Sequence, residues 1–158
     1  MVREYRPDDL EAVVLLFQRS VHEVANRDYS PAQIFAWAPE APDLEAWAGR
    51  LGTGGVFVYE CNDQIAGFAR VDDTGCVDLL YVHPEFQRQG VARALFDRVL
   101  SWAMSRGIRR LRSEVSITAR PFFESIRFRV LRQQVVERRG VSLRNFRMER
   151  DIDAEPSG

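Results

Sequence analysis

The stretch "HPEFQRQGVARALF", His83 to Phe96, follows directly on the apolar run "VDLLYV", Val77 to Val82. From Val91 onward, Val91, Leu95, Val99 and Trp102 recur at the spacing of one helix face, and Gly107 supplies a stop. A strand therefore meets a helix across Gln87-Arg88-Gln89-Gly90, and no Asp or Glu lies between Phe86 and Phe96. The first turn of a helix carries N–H groups without a partner inside the helix. Its dipole places about half a positive charge there. Such a turn suits an anion, a phosphate above all. Gly90 allows close approach, Ala92 keeps the next position small, and Arg88 and Arg93 add charge. A pyrophosphate is thus the expected ligand of the segment Gln87 to Arg93, Val91 included. The P-loop and dinucleotide-binding glycine patterns are both missing, which argues against those folds. A glycine that merely eases a turn is the plainer alternative, so a wider pattern has to decide.

Upstream, "VREY" reads as a short strand. Asp8, with Glu11 three residues later, forms a capping-box pattern before a helix whose apolar face runs through Leu10, Val13, Val14, Phe17, Val21 and Val24. "YSPAQIFAWAP" starts a second helix, with Ser30 as cap, Pro31 in the first turn and Gln33 in third position. "DLEAWAGRL" is a third. Then come "VFVYEC", a turn at Asn62-Asp63, "QIAGFARVD", a turn through Asp72 to Gly75, and "CVDLLYV", an antiparallel meander. Downstream lie a strand "RRLRSEV", a short helix "TARPFFES", and two long strands joined near Arg139-Gly140. This order predicts one mixed α/β (α+β) domain on a largely antiparallel sheet, over residues 1–150, with 151–158 a short tail.

Composition narrows the classes of function. The chain has 158 residues, 46% hydrophobic and 28% charged, with net charge -1, so neither nucleic acid nor an acidic membrane is expected as partner. All 22 basic side chains are arginine, which a GC-rich coding bias explains most simply. Cys61 and Cys76 show no metal-ligand spacing, so no metal is expected. No apolar run approaches the roughly 20 residues of a membrane span, and the N-terminus goes straight to charge. A cytoplasmic protein with reduced thiols is the expectation.

"VDLLYVHPEFQRQGVARAL" resembles the acyl-CoA-binding motif of the GNAT superfamily of N-acyltransferases, an apolar strand followed by Gln/Arg-x-x-Gly-x-Gly/Ala, here at Gln87, Gly90 and Ala92. A second signature of that family is echoed by "SITARPFFESIRF", Ser116 to Phe128. The order of elements matches nearly to Arg150, and the likeness is strongest to small bacterial members. The resemblance implies a sheet splayed between its fourth and fifth strands and acetyl-CoA as co-substrate. It implies a pantetheine arm on the backbone of Leu80 and Val82 beside Tyr81, and a diphosphate on the amides of Gln89 to Ala92. Arg120, Ser116 and Phe123 would border the cofactor. The Val82 N–H would stabilise the oxyanion while a primary amine of a small molecule or peptide attacks the thioester in a ternary complex.

Three departures stand out. The tyrosine that often protonates the leaving thiolate is Phe123, the usual asparagine is Ser116, and the glycine before the last aromatic is Arg127. A thiol pKa near about 8.5 makes thiolate a tolerable leaving group, and Ser116 and Thr118 remain as hydroxyls able to donate, directly or through water. Strand alternation places Asp78 on the face of Leu80 and Val82, which makes it the favoured general base ahead of Tyr81, Glu114 and His83. Pairing of Asp78 with an arginine on a neighbouring strand is an equal expectation. His83 is expected to hydrogen-bond locally, and His22 to lie on a helix surface. Tyr29, Gln33 and Trp37 are the candidate acceptor-binding residues, with plain packing as the competing explanation. Two other functions compete. Phe123 keeps open a catalytically weak acyl-CoA-binding sensor, and arginines at 106–112 and 138–139 keep open, at low rank, nucleic-acid binding. Both a monomer and a homodimer fit the sequence.

Overall fold

The computed structural model describes residues 1–152. Strand β1 (Val2–Glu4) leads to α1 (Leu10–Glu23), α2 (Pro31–Trp37) and α3 (Leu44–Leu51). Strands β2 (Gly55–Cys61), β3 (Gln64–Val71) and β4 (Val77–Val82) follow, then α4 (Val91–Ser105), β5 (Arg110–Ser116), α5 (Arg120–Ser125), β6 (Arg129–Arg138) and β7 (Val141–Asp151). The anticipated tail begins later than 151. Asp151 closes β7, and Ile152 is buried with its N–H on the Arg109 carbonyl at 2.8 Å. The rest of that tail lies outside the described residues.

Local chemistry explains most boundaries. Ser30 Oγ accepts from the Gln33 N–H at 3.2 Å while Gln33 Oε1 accepts from the Ser30 N–H at 2.8 Å, the reciprocal box expected. Asn62 (φ 51°) with Asp63 (φ 63°), and Arg139 (φ 49°) with Gly140 (φ 78°), are two-residue hairpin turns with both central residues left-handed. The start of α1 differs from expectation. Asp9, not Asp8, is the residue at the cap position, and its carboxylate closes the 3-10 turn before the helix, accepting from the Arg6 N–H at 2.8 Å and from both terminal nitrogens of Arg3 at 2.9 Å. Arg3 draws Asp9 inward because it also holds Glu60, and this pairing lowers the Asp9 carboxyl below its usual range.

Two antiparallel sheets result, β1-β2-β3-β4 and β5-β7-β6. β4 and β5 run parallel and are bridged at one end, between Cys76 and Arg112. There the Arg112 N–H reaches the Gly75 carbonyl at 2.9 Å, and Ser113 Oγ donates to the Val77 carbonyl at 2.6 Å. No ladder joins them beyond that point among the described residues, which is the expected splay.

Helices cover both faces. α4 buries Val91, Leu95, Phe96 and Val99 against one, and α1, α2 and α3 bury Phe17, Ile34 and Leu51 against the other. Burial of each such large side chain contributes about 1.5–3 kcal/mol. Gly67 lets α4 sit close: a Cβ there would lie 2.7 Å from Val91 Cγ1. The start of α4 is thereby fixed over β3, beside the end of β4.

Arg127 follows α5 in the left-handed region (φ 72°). That conformation costs an L-residue about 1–2 kcal/mol. Arg127→Gly is expected to raise stability by about 1 kcal/mol, some 2–4 °C in melting temperature for a chain of this size. Thermal unfolding followed by circular dichroism checks this.

Candidate active site

The splay opens onto a cavity of about 650 Å³. Its edge on β4 follows from hydrogen-bond alternation. The His83 N–H donates to the Ala66 carbonyl at 2.8 Å, and the register continues through Tyr81–Phe68 and Leu79–Arg70. In an antiparallel ladder every second residue exchanges bonds with its partner strand. Leu80 and Val82 are the other set, so their N–H and C=O groups point away from β3 and into the gap. The Val82 carbonyl is taken by Gln87 Nε2 at 2.8 Å, which leaves its N–H. Gln87 thus braces the end of β4 rather than reaching outward.

The turn after β4 has two left-handed residues, Arg88 (φ 60°) and Gly90 (φ 80°), and no acidic residue in the first turn of α4. No atom lies within 4 Å of a Cβ built on Gly90. Glycine serves the backbone angle here, not close packing within the protein. The N–H groups of Val91, Ala92 and Arg93 open the helix without intrahelical partners, and successive backbone N–H groups in such a turn make an anion-binding concavity. Gln89 Nε2 donates to the Glu85 carbonyl at 3.2 Å, and Arg93 lies 3.4 Å from Asp97, so part of its charge is already balanced.

The cavity has two walls beyond this edge. One is aromatic. Phe17 packs 4.8 Å from Trp47 and 4.9 Å from Tyr81, and Trp37 lies 5.4 Å from Tyr29 (ring centroids). Burial pushes the Tyr81 phenol up to about 12, against a smaller opposing effect of a hydrogen bond with Trp37. Tyr81 therefore stays protonated at neutral pH and is no base there. The other wall is polar, with Glu114 and Ser116 of β5 and Asn145 and Arg147 of β7. Ser116 Oγ accepts from the Ala119 N–H at 3.0 Å, which leaves its own proton to donate, while Thr118 donates to Asp28 at 2.7 Å.

Asp78 does not share the face of Leu80 and Val82. The ladder pairs Arg70 with Leu79 and Val71 with Val77, so Asp78 is the extra residue of a β-bulge. The bulge turns it toward α3. There Oδ2 meets Arg70 at 2.8 Å and Arg50 at 3.0 Å, the neighbouring-strand pairing that sequence allowed. Oδ1 is buried and has no hydrogen-bond partner, and Asp78 lines the cavity.

Other candidates are placed as follows. Trp37 and the Tyr29 ring line the cavity, but the Tyr29 hydroxyl is a clasp between strands, donating to the Arg144 carbonyl at 2.6 Å and accepting from the Ile117 N–H at 3.0 Å. The Gln33 amide is used by the helix cap and by the Ser142 carbonyl at 3.0 Å, and it is not among the lining residues. Arg120 is likewise outside the lining, 4.6 Å from the Phe146 ring centroid and 3.4 Å from Glu124. Phe123 is buried, 4% exposed, yet touches the cavity. His83 accepts from the Glu85 N–H at 3.1 Å, the local contact expected, but its Nε2 also lies 2.9 Å from Arg19 of α1, and His22 hydrogen-bonds the Ala38 carbonyl. Sequence reasoning missed Trp47, Arg50 and Asn145. Trp47 and Arg50 stand three residues apart on α3, a same-face spacing that marks them in retrospect.

The acetyltransferase (GNAT) domain model matches residues 25–150. The chain belongs to the GNAT acetyltransferase family. A protein of Escherichia coli (strain K12), the uncharacterized N-acetyltransferase YafP, is 38% identical over 148 residues, 93% of each chain. The crystal structure of a GCN5-related N-acetyltransferase from Rhodopseudomonas palustris superimposes with TM-score 0.93 at 28% identity, covering 96% of this chain and 95% of that one. YncA from Salmonella typhimurium, solved with acetyl-CoA, superimposes with TM-score 0.74 at 20% identity over 99% and 96%, a likeness of fold. Among the described residues no helix is long and apolar enough to cross a membrane.

Proposed function

We propose that this GNAT protein moves the acetyl group of acetyl-CoA to a primary amine of a small molecule or peptide by direct attack in a ternary complex. The observation that carries this is the outward edge of β4, whose unpaired groups open onto a cavity with an aromatic and a polar wall. Acetyl-CoA supplies a thioester carbonyl open to attack by an amine. Leu80 offers a free backbone edge to the pantetheine amides, and the Val82 N–H is placed to donate to a developing oxyanion. The amides from Gln89 to Arg93, with Arg88, suit the diphosphate. Asp78 Oδ1 is an acceptor without a donor, and it suits an N–H of the incoming amine and the proton it sheds. Ser116 is the hydroxyl next to the gap that retains a proton to give.

Cys76 also lines the cavity, but burial first, and nearby carboxylates second, push its thiol up. At neutral pH it stays a thiol, which disfavours a covalent acyl-cysteine route. Phe123 supports the competing reading of a weakly catalytic acyl-CoA sensor, since a phenyl ring gives no proton.

The test is release of free thiol from acetyl-CoA by purified protein over a panel of amines. Turnover on any amine supports transfer, and CoA binding without turnover supports the sensor. Asp78→Asn is expected to lower kcat by about 100-fold, the lower end of the range for a general base, with CoA affinity by calorimetry within about twofold. An unaltered pH–rate profile in that variant removes Asp78 from the chemistry.

A further inference from the structure

Asn145 is a polar group that the reaction above does not use. It stands on β7 directly opposite Ser116 of β5, with Gln134 of β6 on its other side. Residues opposed in a ladder share a face, and Leu143, two residues earlier, packs with α1 and α2. Asn145 therefore faces the acceptor side of the sheet, away from α4. It lines the cavity, and its Oδ1 is buried without a hydrogen-bond partner. Asp78 Oδ1, on the same cavity, is in the same condition. A buried polar atom left unpaired costs about 1–3 kcal/mol, and such atoms are few in native proteins. Two lone acceptor atoms in one chamber match a ligand with two donors. Gln134 Nε2, next along the row, is also unpaired, but Gln134 is not among the lining residues.

We infer that Asn145 is a specificity-determining residue: its Oδ1 accepts a hydrogen bond from a second donor, an N–H or O–H, carried by the acceptor at a distance from its reacting amine. The inference rests on the amine docking at Asp78. The acceptor class it names is diamines, amino alcohols and phenolic alkylamines, in preference to simple alkylamines. A site built to hydrogen-bond a substrate group rejects the analogue that lacks it, because the buried atom is then left bare, by as much as about 10⁴–10⁵.

The experiment compares size-matched acceptors with and without the second donor: putrescine against pentylamine, aminopentanol against hexylamine, and tyramine against its methyl isostere. In the wild type at least one pair is expected to differ by about 100-fold or more in kcat/KM. Asn145→Leu should shrink that ratio to about threefold, and Asn145→Asp, which keeps an acceptor oxygen there, should restore it. Calorimetric CoA affinity within about twofold of wild type shows that each variant is folded. Ratios under about threefold in every wild-type pair, with turnover present, overturn the inference. So does a ratio that Asn145→Leu leaves intact. A protein that turns over none of these amines is titrated with them in the presence of CoA, while the Asn145 side-chain NH₂ resonances are followed. Shifts with the donor-bearing member of a pair alone support the assignment even if the transfer reading has failed, and no shifts overturn it.

Discussion

Val82→Pro is expected to lower kcat by about 100- to 1,000-fold, the measured cost of losing one oxyanion donor. Proline removes the N–H and keeps the strand. The Val82 N–H points into the gap between β4 and β5, so the β3–β4 ladder, carried there by the His83 N–H on the Ala66 carbonyl, loses nothing. Proline is tolerated where the missing donor faces away from the partner strand. The fold should therefore survive, as near-ultraviolet circular dichroism can verify. Stopped-time assays of thiol release then give kcat, and calorimetry gives CoA affinity. A fall in kcat much larger than the fall in affinity places the N–H on the reacting carbonyl. A fall in affinity with kcat unchanged places it on the pantetheine alone. Unchanged kinetics in a folded variant would remove the β4 edge from the reaction.

Gly90→Glu is expected to weaken CoA binding by about 30-fold. Gly90 has φ 80°, and a side chain there meets no protein atom within 4 Å. The substitution thus costs fold stability through its backbone angle, about 1–2 kcal/mol. Its effect on binding comes from charge. A carboxylate is itself attracted to the opening turn of α4, and it repels a diphosphate drawn to the same donors. Unit charges about 4 Å apart near a protein surface interact by up to about 4 kcal/mol. Screening halves that, and about 2 kcal/mol is some 30-fold in Kd. Gly90→Ala separates the two effects, since it carries the angular cost without the charge. Its CoA affinity should stay within about threefold of wild type. Equal affinity in Gly90→Glu would mean that the phosphates lie elsewhere.

What the sequence disclosed and what it hid divide along one physical line. Features set by residues a few positions apart were legible: the Ser30–Gln33 box, the Asn62-Asp63 and Arg139-Gly140 turns, and the helix face through Val91, Leu95 and Val99. The opening of α4 was legible for the same reason. Features set by register or by distant partners were not. Asp78 was placed by simple alternation on the face of Leu80, because a bulge depends on how β3 pairs with β4. Asp9 took the place expected of Asp8 because Arg3 bridges it to Glu60, 57 residues from Arg3. The Tyr29 hydroxyl joins a segment to strands more than 80 residues away, so its use as a clasp left no local trace. Asn145 sits opposite Ser116 only because β7 lies between β5 and β6, an order the chain does not spell out.

Amide hydrogen exchange by NMR, with and without CoA, bears most directly on the claim that the free edge of β4 and the first turn of α4 hold the coenzyme. Leu80 and Val82, with Val91 to Arg93, should exchange at least about tenfold more slowly when CoA is bound, while β1 and β2 stay as they were. Protection confined to other segments, or none at saturating CoA, would contradict it.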